Sequence, residues 1–290
     1  MEPGVLSHKS AKDFQTLSHQ ILQYANRGIL RISFQQEVSK MIMDFSGCDG
    51  IELWVKHHDK YFRCEAKRES DEFFYSKITS CLQNEGGDVV PDLDDNPDLM
   101  NLCKEIIYGN VAPSQTFFTR NGSFGTGNTK ELLTIRLETD RESHVLNIGS
   151  DYRSLAVIPL LVDHQNIGLL QLKSKHKDYF TQGEIDLYLT LAKNLGIAVA
   201  HRNAQSDLHE RVKELTCLYG ITRLAARPDL SIEETLQGLV EILPPAWLYP
   251  EIALSRIILD GRSYSTPGFI EGETQTEGRY TGRRGTTRYA

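Results

Sequence analysis

The chain lacks several features that would assign it to a common class. It has no apolar run of about 18 residues, which a membrane-spanning helix needs, and MEPGVLSHKSAKDF lacks the apolar segment of a secretory signal. Its net charge of −7 leaves no excess of Lys and Arg for a nucleic-acid backbone. We therefore expect a cytoplasmic protein with no membrane partner and no nucleic-acid partner.

Cysteine is also sparse. The five cysteines are odd in number and widely spread, and no CxxC pair suggests a zinc or redox site. Buried, reduced thiols are the economical interpretation. The positions are Cys48, Cys64, Cys81, Cys103 and Cys217.

The 290 residues are 40% hydrophobic and 24% charged, as in globular proteins, and allow one large or two ordinary domains of roughly 150 residues each. Apolar periodicity predicts helix from Ala11 to Phe45 with a break near Gly28. Pro97–Tyr108 predicts a helix with Asn96 as N-cap. Phe73–Gln83 also fits a short helix.

Two β-rich runs, Leu155–Val162 and Ile167–Lys173, flank the polar turn 163–166 and predict a β-hairpin that leads into a helix. Ile51–Val55 and Tyr61–Glu65 predict another hairpin. A glycine inside a strand, Gly168, indicates close approach of another backbone. Two hairpins bracketed by helices predict an α+β domain with an antiparallel sheet.

The hydrophobic-Pro-Leu strand, the turn and the Ile-Gly-hydrophobic strand together resemble the C-terminal half of a GAF domain. MIMDFSGCDGIELWVK, YFRCEAK, FFTRNGSFGTGNTKELL and YRSLAVIPL resemble GAF domains of bacterial and archaeal sensor histidine kinases. The segment from Arg211 to Ile252 resembles the part that follows in such kinases, leading into another sensory module. One departure is Gly125, where that subgroup often carries an aromatic residue that would form a pocket wall.

The resemblance implies a GAF-like antiparallel sheet flanked by helices, then a long signalling helix and a partial second α+β module. It implies the input region of a two-component signalling protein, with an effector domain further along. The ATP-binding boxes of a kinase are absent, so we expect no catalytic residue here. The implied divisions are an N-terminal helical segment 1–29, a GAF sensory domain 30–200, a linker helix 201–227 and a second module 228–290.

Beyond His201 the predicted helix is too polar for burial in a globular core. Its remaining apolar positions recur at a spacing near the 3.5 residues of a two-stranded coiled coil. We therefore predict a parallel homodimer through this helix. The predicted seam consists of Leu208, Val212, Leu215 and Tyr219.

The segment 112–128 is long and aromatic, and long loops inside compact domains are often functional. Ligand pockets are mostly apolar with a few placed polar groups, so we predict an unidentified small-molecule ligand beneath this loop. The predicted wall is Phe117, Phe118, Phe124 and Cys64, with Tyr152 and Arg153 at the entrance. The alternative is that the three phenylalanines form a mini-core that anchors the loop.

Arg63, Arg136 and Arg153 could hold an anionic ligand or be surface charge. The cofactor is unknown, although no attachment motif indicates a covalent chromophore or haem. We expect no metal site, since His57 and His58 would point apart in strand geometry. Two other functions compete: a dimerisation module without ligand, and a nucleotide-binding enzyme that uses GSFGTGNT, in which Asn128 replaces the phosphate-binding lysine.

Overall fold

The computed structural model describes residues 11–58, 60–68, 74–81, 96–111, 117–136, 143–149, 151–247, 252–270, 278–282 and 285–289. It forms two compact units, Met1–Asn203 and Ala204–Ala290. The sequence-based boundaries at residues 29, 200 and 227 stay predictions.

The first unit is built from helices and strands in mixed order. Its elements are α1 (Ala11–Ala25), α2 (Arg31–Ser46), β1 (Gly50–His57), β2 (Lys60–Arg68), β3 (Phe74–Cys81), α3 (Pro97–Tyr108), β4 (Phe124–Thr126), β5 (Leu133–Arg136), β6 (Ser143–Leu146), β7 (Ser154–Val162), β8 (Gln165–Ser174) and the start of α4 (Gln182–Ala225).

Six of these strands form one sheet in the order β3-β2-β1-β8-β7-β4, and every neighbouring pair is antiparallel. Strands β5 and β6 pair with each other. The predicted α+β class with an antiparallel sheet is therefore confirmed, and both predicted hairpins are present. The helix predicted at Phe73–Gln83 is wrong, because β3 pairs with β2 along its whole length and tertiary pairing overrides local pattern.

Because side chains alternate along a strand, β1, β2, β7 and β8 each contribute to two separate cores. On one face, Leu53, Cys64 and Leu170 pack with residues of α1, α2 and α4. On the other face, Trp54 and Leu169 pack with α3 and with the segment after it. The sheet is therefore covered on both faces in this unit, and its central strands read as nearly continuous apolar runs.

The helix ends follow the sequence signals. The Asn96 side chain accepts hydrogen bonds from the backbone N–H groups of Asp98 and Leu99, and Pro97 takes the first helical position of α3. Gly109 ends α3 with φ 73°, a left-handed conformation that glycine adopts without steric cost. These caps fix the position of α3 along the sheet.

Gly168 lies where β8 passes β1. A Cβ atom at this position would overlap the backbone carbonyl oxygen of Trp54. The close backbone approach predicted from the sequence is confirmed, and it allows β1 and β8 to pair across the middle of the sheet.

The second unit contains the rest of α4, α5 (Ile232–Ile242), a 3₁₀ turn (Pro244–Ala246) and four strands. The strands are β9 (Arg256–Leu259), β10 (Arg262–Ser265), β11 (Gly278–Gly282) and β12 (Gly285–Tyr289), in the order β10-β9-β12-β11. A capping box begins α5, since Ser231 and Glu234 exchange side-chain to backbone hydrogen bonds. Among the described residues of the whole chain, no helix combines the length and apolarity needed to cross a membrane.

Candidate functional site

A cavity of about 360 Å³ lies between α3 and the sheet. Cavities of this size fall within the range of small-molecule sites in proteins. Strands β1, β2 and β8 form its floor and the first half of α3 forms its wall. The side chains that matter for its chemistry are Glu52, Arg63, Met100, Cys103, Gln171 and Lys173.

Strand alternation brings the polar residues together. In β1, Ile51 and Leu53 point to the α2 and α4 face, so Glu52 points to the α3 face. The register places Glu52 directly opposite Gln171 of β8, and Lys173 lies two residues further along the same strand face. Arg63 of β2 stands opposite Trp54, the next β1 residue on this face. A charged cluster thus forms at the centre of the sheet.

Glu52 pairs with two cations. Its Oε2 lies 2.8 Å from Arg63 Nε and accepts a hydrogen bond of 3.1 Å from Trp54 Nε1. Its Oε1 accepts a hydrogen bond from Lys173 Nζ. The Glu52 side chain is 3% exposed, and those of Arg63 and Lys173 are 12% and 11% exposed. We call these three residues the Glu52 triad, and its formal charge is +1.

The triad holds Glu52 ionised. Burial by itself would raise the pKa of the Glu52 carboxyl, but the positive charges of Lys173 and Arg63 outweigh burial and lower the pKa from 4.5 to about 2. A buried carboxylate is therefore charged at every ordinary pH, and it serves to hold Lys173 and Arg63 in place beside the cavity.

Gln171 offers the cavity an unused acceptor. Its Nε2 donates a hydrogen bond of 2.9 Å to Cys103 Sγ, which fixes the orientation of the amide. Its Oε1 is buried and has no hydrogen-bond partner among the described residues, although the residue is only 1% exposed. Buried polar atoms nearly always have a partner, so this oxygen is an unsatisfied acceptor at the cavity wall.

The rim of the cavity is mixed in charge. Lys67 and Glu65 form an ion pair of 2.7 Å, and Asp151 is exposed to solvent. Tyr152 is half-buried at the rim, and burial together with nearby carboxylates raises its pKa to about 12. Its hydroxyl therefore stays protonated at neutral pH and can donate a hydrogen bond. Of the predicted wall and entrance residues, Tyr152 lines this cavity.

The three predicted aromatic wall residues lie on the same sheet face as the cavity but outside its lining. Phe118 and Phe124 are buried with ring centroids 5.4 Å apart, and Phe117 lies 6.2 Å from Phe124. Gly125 N donates to Phe117 O, which fastens the segment to the sheet edge through β4. This packing matches the mini-core alternative.

Cys64 does not lie on the cavity face of the sheet. Cys64 lies in the core between the sheet and α2, where Ser39 Oγ contacts its sulfur, so it cannot share a wall with the phenylalanines on the other face. Cys64 lies two residues after Phe62 in β2, so the two side chains point to the same face of the sheet. The Phe62 ring stacks on Arg31 of α2, which identifies this face as the α2 side. Arg153 lies beside the cavity lining, and its backbone pairs with Thr129 and Ser174.

Gly125 stands where the GAF subgroup often carries an aromatic residue that would form a pocket wall. A Cβ atom at Gly125 would contact Ile185 of α4, so this position faces the opposite side of the sheet from the cavity. The departure from the GAF subgroup therefore leaves the α3-side cavity unaffected.

The structure also describes the GSFGTGNT segment and the His57–His58 pair. The segment Gly122–Thr129 contains the short strand β4, and the next element after it is strand β5, so it lacks the strand–loop–helix context of a phosphate-binding loop. His57 and His58 do not point apart, because His58 has φ 51° and the two ring centroids lie 4.3 Å from each other. The side chains of Arg136 and Cys81 lie outside what the structure describes.

Among the cavity residues, the sequence pointed only to Arg63 and Tyr152 as candidate ligand contacts. The sequence does contain a pattern that indicates the other cavity residues. Glu52 and Trp54 in β1, and Gln171 and Lys173 in β8, put polar groups at alternate positions of strands that are otherwise apolar. Alternate polar residues normally mark a solvent-exposed face. They could be assigned to a covered face only once α3 was located on it.

Comparison with known proteins found no matching protein-family model and no matching curated protein. Solved structures do match. The GAF domain of an Acinetobacter phosphoenolpyruvate-protein phosphotransferase is 14% identical, with a TM-score of 0.39 over 69% of this chain and 99% of that one. Free methionine-R-sulfoxide reductase from Neisseria meningitidis, solved with its substrate, is 14% identical, with a TM-score of 0.40 over 71% and 99%.

A bacteriophytochrome from R. palustris is 9% identical, with a TM-score of 0.49 over 94% of this chain and 52% of that one. Identities and scores at this level carry no argument about ligand or activity. The fold described above rests on the strand order and on the two helical layers of the chain itself.

Proposed function

We propose that residues 30–200 form a GAF-type sensory domain, which binds a small molecule in the cavity between α3 and the sheet. The observation that carries this proposal is the Gln171 carbonyl oxygen, which is buried without a partner beside the buried Glu52 triad. A cavity that existed only as a packing defect would be lined by apolar groups, because unsatisfied polar atoms cost about 1 to 3 kcal/mol each.

The sheet offers a route from the cavity to α4. Strand β8 carries Gln171 and Lys173 on the cavity face and Leu170 and Leu172 on the α4 face. After β8, the Tyr179 hydroxyl donates a hydrogen bond to Ser46 O just before α4 begins. A ligand that shifts β8 therefore acts on the element that leads into α4, and we propose that α4 relays the signal to an effector, in a histidine kinase or a similar signalling protein.

The test of ligand binding uses a cavity-filling variant. Met100 is 4% exposed and lines the cavity, so Met100→Trp should fill it. We expect at least one compound in a set of amino acids, organic acids, nucleotides and sugars to raise the Tm of the wild-type chain by several degrees, because a ligand at 100 times its Kd adds about 2.7 kcal/mol.

The matched control is Met100→Leu, which nearly conserves volume and should keep the response. The proposal fails if no compound raises the Tm, or if Met100→Trp folds and responds as the wild type does.

We propose further that the chain forms a parallel homodimer through α4. Four apolar residues on one side of this helix in the second unit are more than half exposed: Leu208 at 65%, Val212 at 52%, Leu215 at 65% and Tyr219 at 65%. The other side of α4 is occupied within the chain, since Gly220 packs against Ile242 of α5. Burial of such a row in a second copy is favourable at about 25 cal/mol per Å² of apolar surface.

Light scattering at micromolar concentration tests this seam. The wild type should have twice the 32.8 kDa chain mass, and Leu215→Asp should have the mass of one chain, since two facing carboxylates would be buried at the seam. Ser206→Asp adds the same charge about 200° round the helix from Leu208 and should stay dimeric. A monomeric wild type, or a dimeric Leu215→Asp, would refute the seam.

A further inference from the structure

We propose that the ligand of the α3-side cavity is a small molecule that donates an N–H or O–H hydrogen bond to the Gln171 carbonyl oxygen, and that Cys103 sets this preference by orienting the Gln171 amide. This inference rests on the proposed function and specifies the chemistry of the ligand. Gln171 is then a ligand-binding residue, and Cys103 is a positioning residue that acts through it.

The position of Gln171 in the fold explains why its amide is buried. Gln171 lies in β8 with β1 on one side and β7 on the other, opposite Glu52 and Val157. Helix α3 packs over the same face and places Cys103 Sγ 2.9 Å from Gln171 Nε2. Since a side chain held between a sheet and a helix cannot turn out to bulk solvent, its polar atoms need partners inside the site.

The two ends of the Gln171 amide differ in their contacts. Nε2 donates to Cys103 Sγ, whereas Oε1 is buried and has no hydrogen-bond partner among the described residues. Because the Cys103 sulfur occupies the nitrogen end, the oxygen end is the one left for a ligand. A carbonyl oxygen only accepts hydrogen bonds, so the ligand must supply the donor.

The polar neighbours of Gln171 are engaged with one another. Glu52 accepts from Trp54 and Lys173, and a carboxylate has no proton to offer the Gln171 oxygen. Lys173 Nζ donates to Glu52 Oε1 and lies 5.7 Å from the centroid of the Tyr152 ring. These described neighbours therefore leave the donor for Gln171 Oε1 to be supplied by the ligand.

The apolar part of the lining indicates the rest of the molecule. Met100 and Leu155 line the cavity at 4% and 3% exposure, and Leu99 is half-buried there. Apolar lining of this kind binds a carbon skeleton, and a volume of about 360 Å³ limits the ligand to a small molecule. The ligand class is therefore a small molecule with an apolar part and an N–H or O–H donor, such as an amide, an alcohol or a phenol.

The test uses pairs of probes in which methylation removes the donor, measured by titration calorimetry on the full chain. The pairs are benzamide with N,N-dimethylbenzamide, benzyl alcohol with benzyl methyl ether, and 2-pyrrolidinone with N-methyl-2-pyrrolidinone. Each compound that raises the Tm is paired with its methylated form in the same way. We expect the donor of the tightest pair to bind about tenfold or more tightly than its partner, because the partner leaves Gln171 Oε1 unsatisfied. The pairs that show this ratio identify which donor the site takes.

Variants connect the ratio to the Gln171 oxygen. Gln171→Met keeps the length of the side chain but removes the acceptor, so the ratio should fall to within about twofold. Gln165→Met makes the same change at an exposed position of the same strand and should leave the ratio as it is. A ratio that persists in Gln171→Met would overturn the inference, because bulk would then be what excludes the methylated probes.

Cys103→Ala tests the orienting role. Without the sulfur, the Gln171 amide can turn its nitrogen towards the ligand, so probes that only accept should bind more tightly than they bind to the wild type. A merely structural role would weaken both members of a pair alike and leave their ratio unchanged, which would contradict the role of Cys103. If Gln171→Met does not fold, the wild-type and Cys103→Ala ratios decide.

The outcomes separate this inference from the proposed function. If probes without a donor bind as tightly as those with one, and Met100→Trp abolishes that binding, the donor inference is overturned while the sensory cavity stands. If no probe binds, or if Met100→Trp folds and leaves the affinities unchanged, the cavity is not the site and both proposals fail.

Discussion

Replacement of Glu52 by Gln is expected to lower the free energy of unfolding by about 3 to 5 kcal/mol. The substitution keeps the shape of the side chain but leaves Arg63 and Lys173 together without their shared anion, and the loss of one partner of a buried ion pair typically has this cost. Urea denaturation followed by circular dichroism measures the change.

Glu65→Gln is the matched control, because it makes the same chemical change on the neighbouring strand. Glu65 pairs with Lys67 near the surface, where the two side chains are 22% and 44% exposed, and such pairs contribute at most about 1 kcal/mol. If Glu52→Gln costs no more than Glu65→Gln, the Glu52 triad is not a buried charge cluster.

The same substitution predicts a change in acid stability. The pKa of Glu52 is lowered to about 2 in the folded chain, so its contribution is complete above its ordinary pKa of 4.5 and is lost as pH falls from about 4.5 towards 2. This loss amounts to about 3 kcal/mol. Over this pH range, the unfolding free energy of Glu52→Gln should fall less steeply than that of the wild type.

Phe124→Ala is expected to be as costly, at about 3 to 5 kcal/mol, because Phe124 is fully buried and both neighbouring phenylalanine rings pack on it. Phe117 is half-buried, so Phe117→Ala should cost clearly less. Neither change should alter the affinity of a ligand in the α3-side cavity by more than about twofold, since both rings lie outside its lining.

Equilibrium unfolding and calorimetry on the two variants check this prediction. A Phe124→Ala protein that is nearly as stable as the wild type but has lost its ligand would contradict the mini-core. It would instead support the sequence-based prediction that the phenylalanines form the wall of the site.

The sequence predicted the elements whose signals are local. The Asn96 and Pro97 signals defined the start of α3, and alternation defined the two hairpins. Strand β4 was missed because three residues give too little periodicity. Strand β3 was predicted as a helix because only its pairing with β2 decides its conformation.

The candidate site was harder to predict because it is made by non-local register. Glu52 and Gln171 are 119 positions apart in sequence and become direct neighbours only when β1 pairs with β8. The aromatic loop predicted a pocket wall, but its phenylalanine rings pack on one another beside the cavity. The prediction for Cys64 was wrong about the face of the sheet. Side chains alternate along β2, and Cys64 therefore shares the α2 face with Phe62.

A crystal structure of the chain with its tightest-binding probe tests the central claim most directly. The account predicts electron density for the compound between α3 and the sheet, with a donor of the compound within hydrogen-bond distance of Gln171 Oε1. Density for the compound at another surface, with the α3-side cavity empty, would contradict the account.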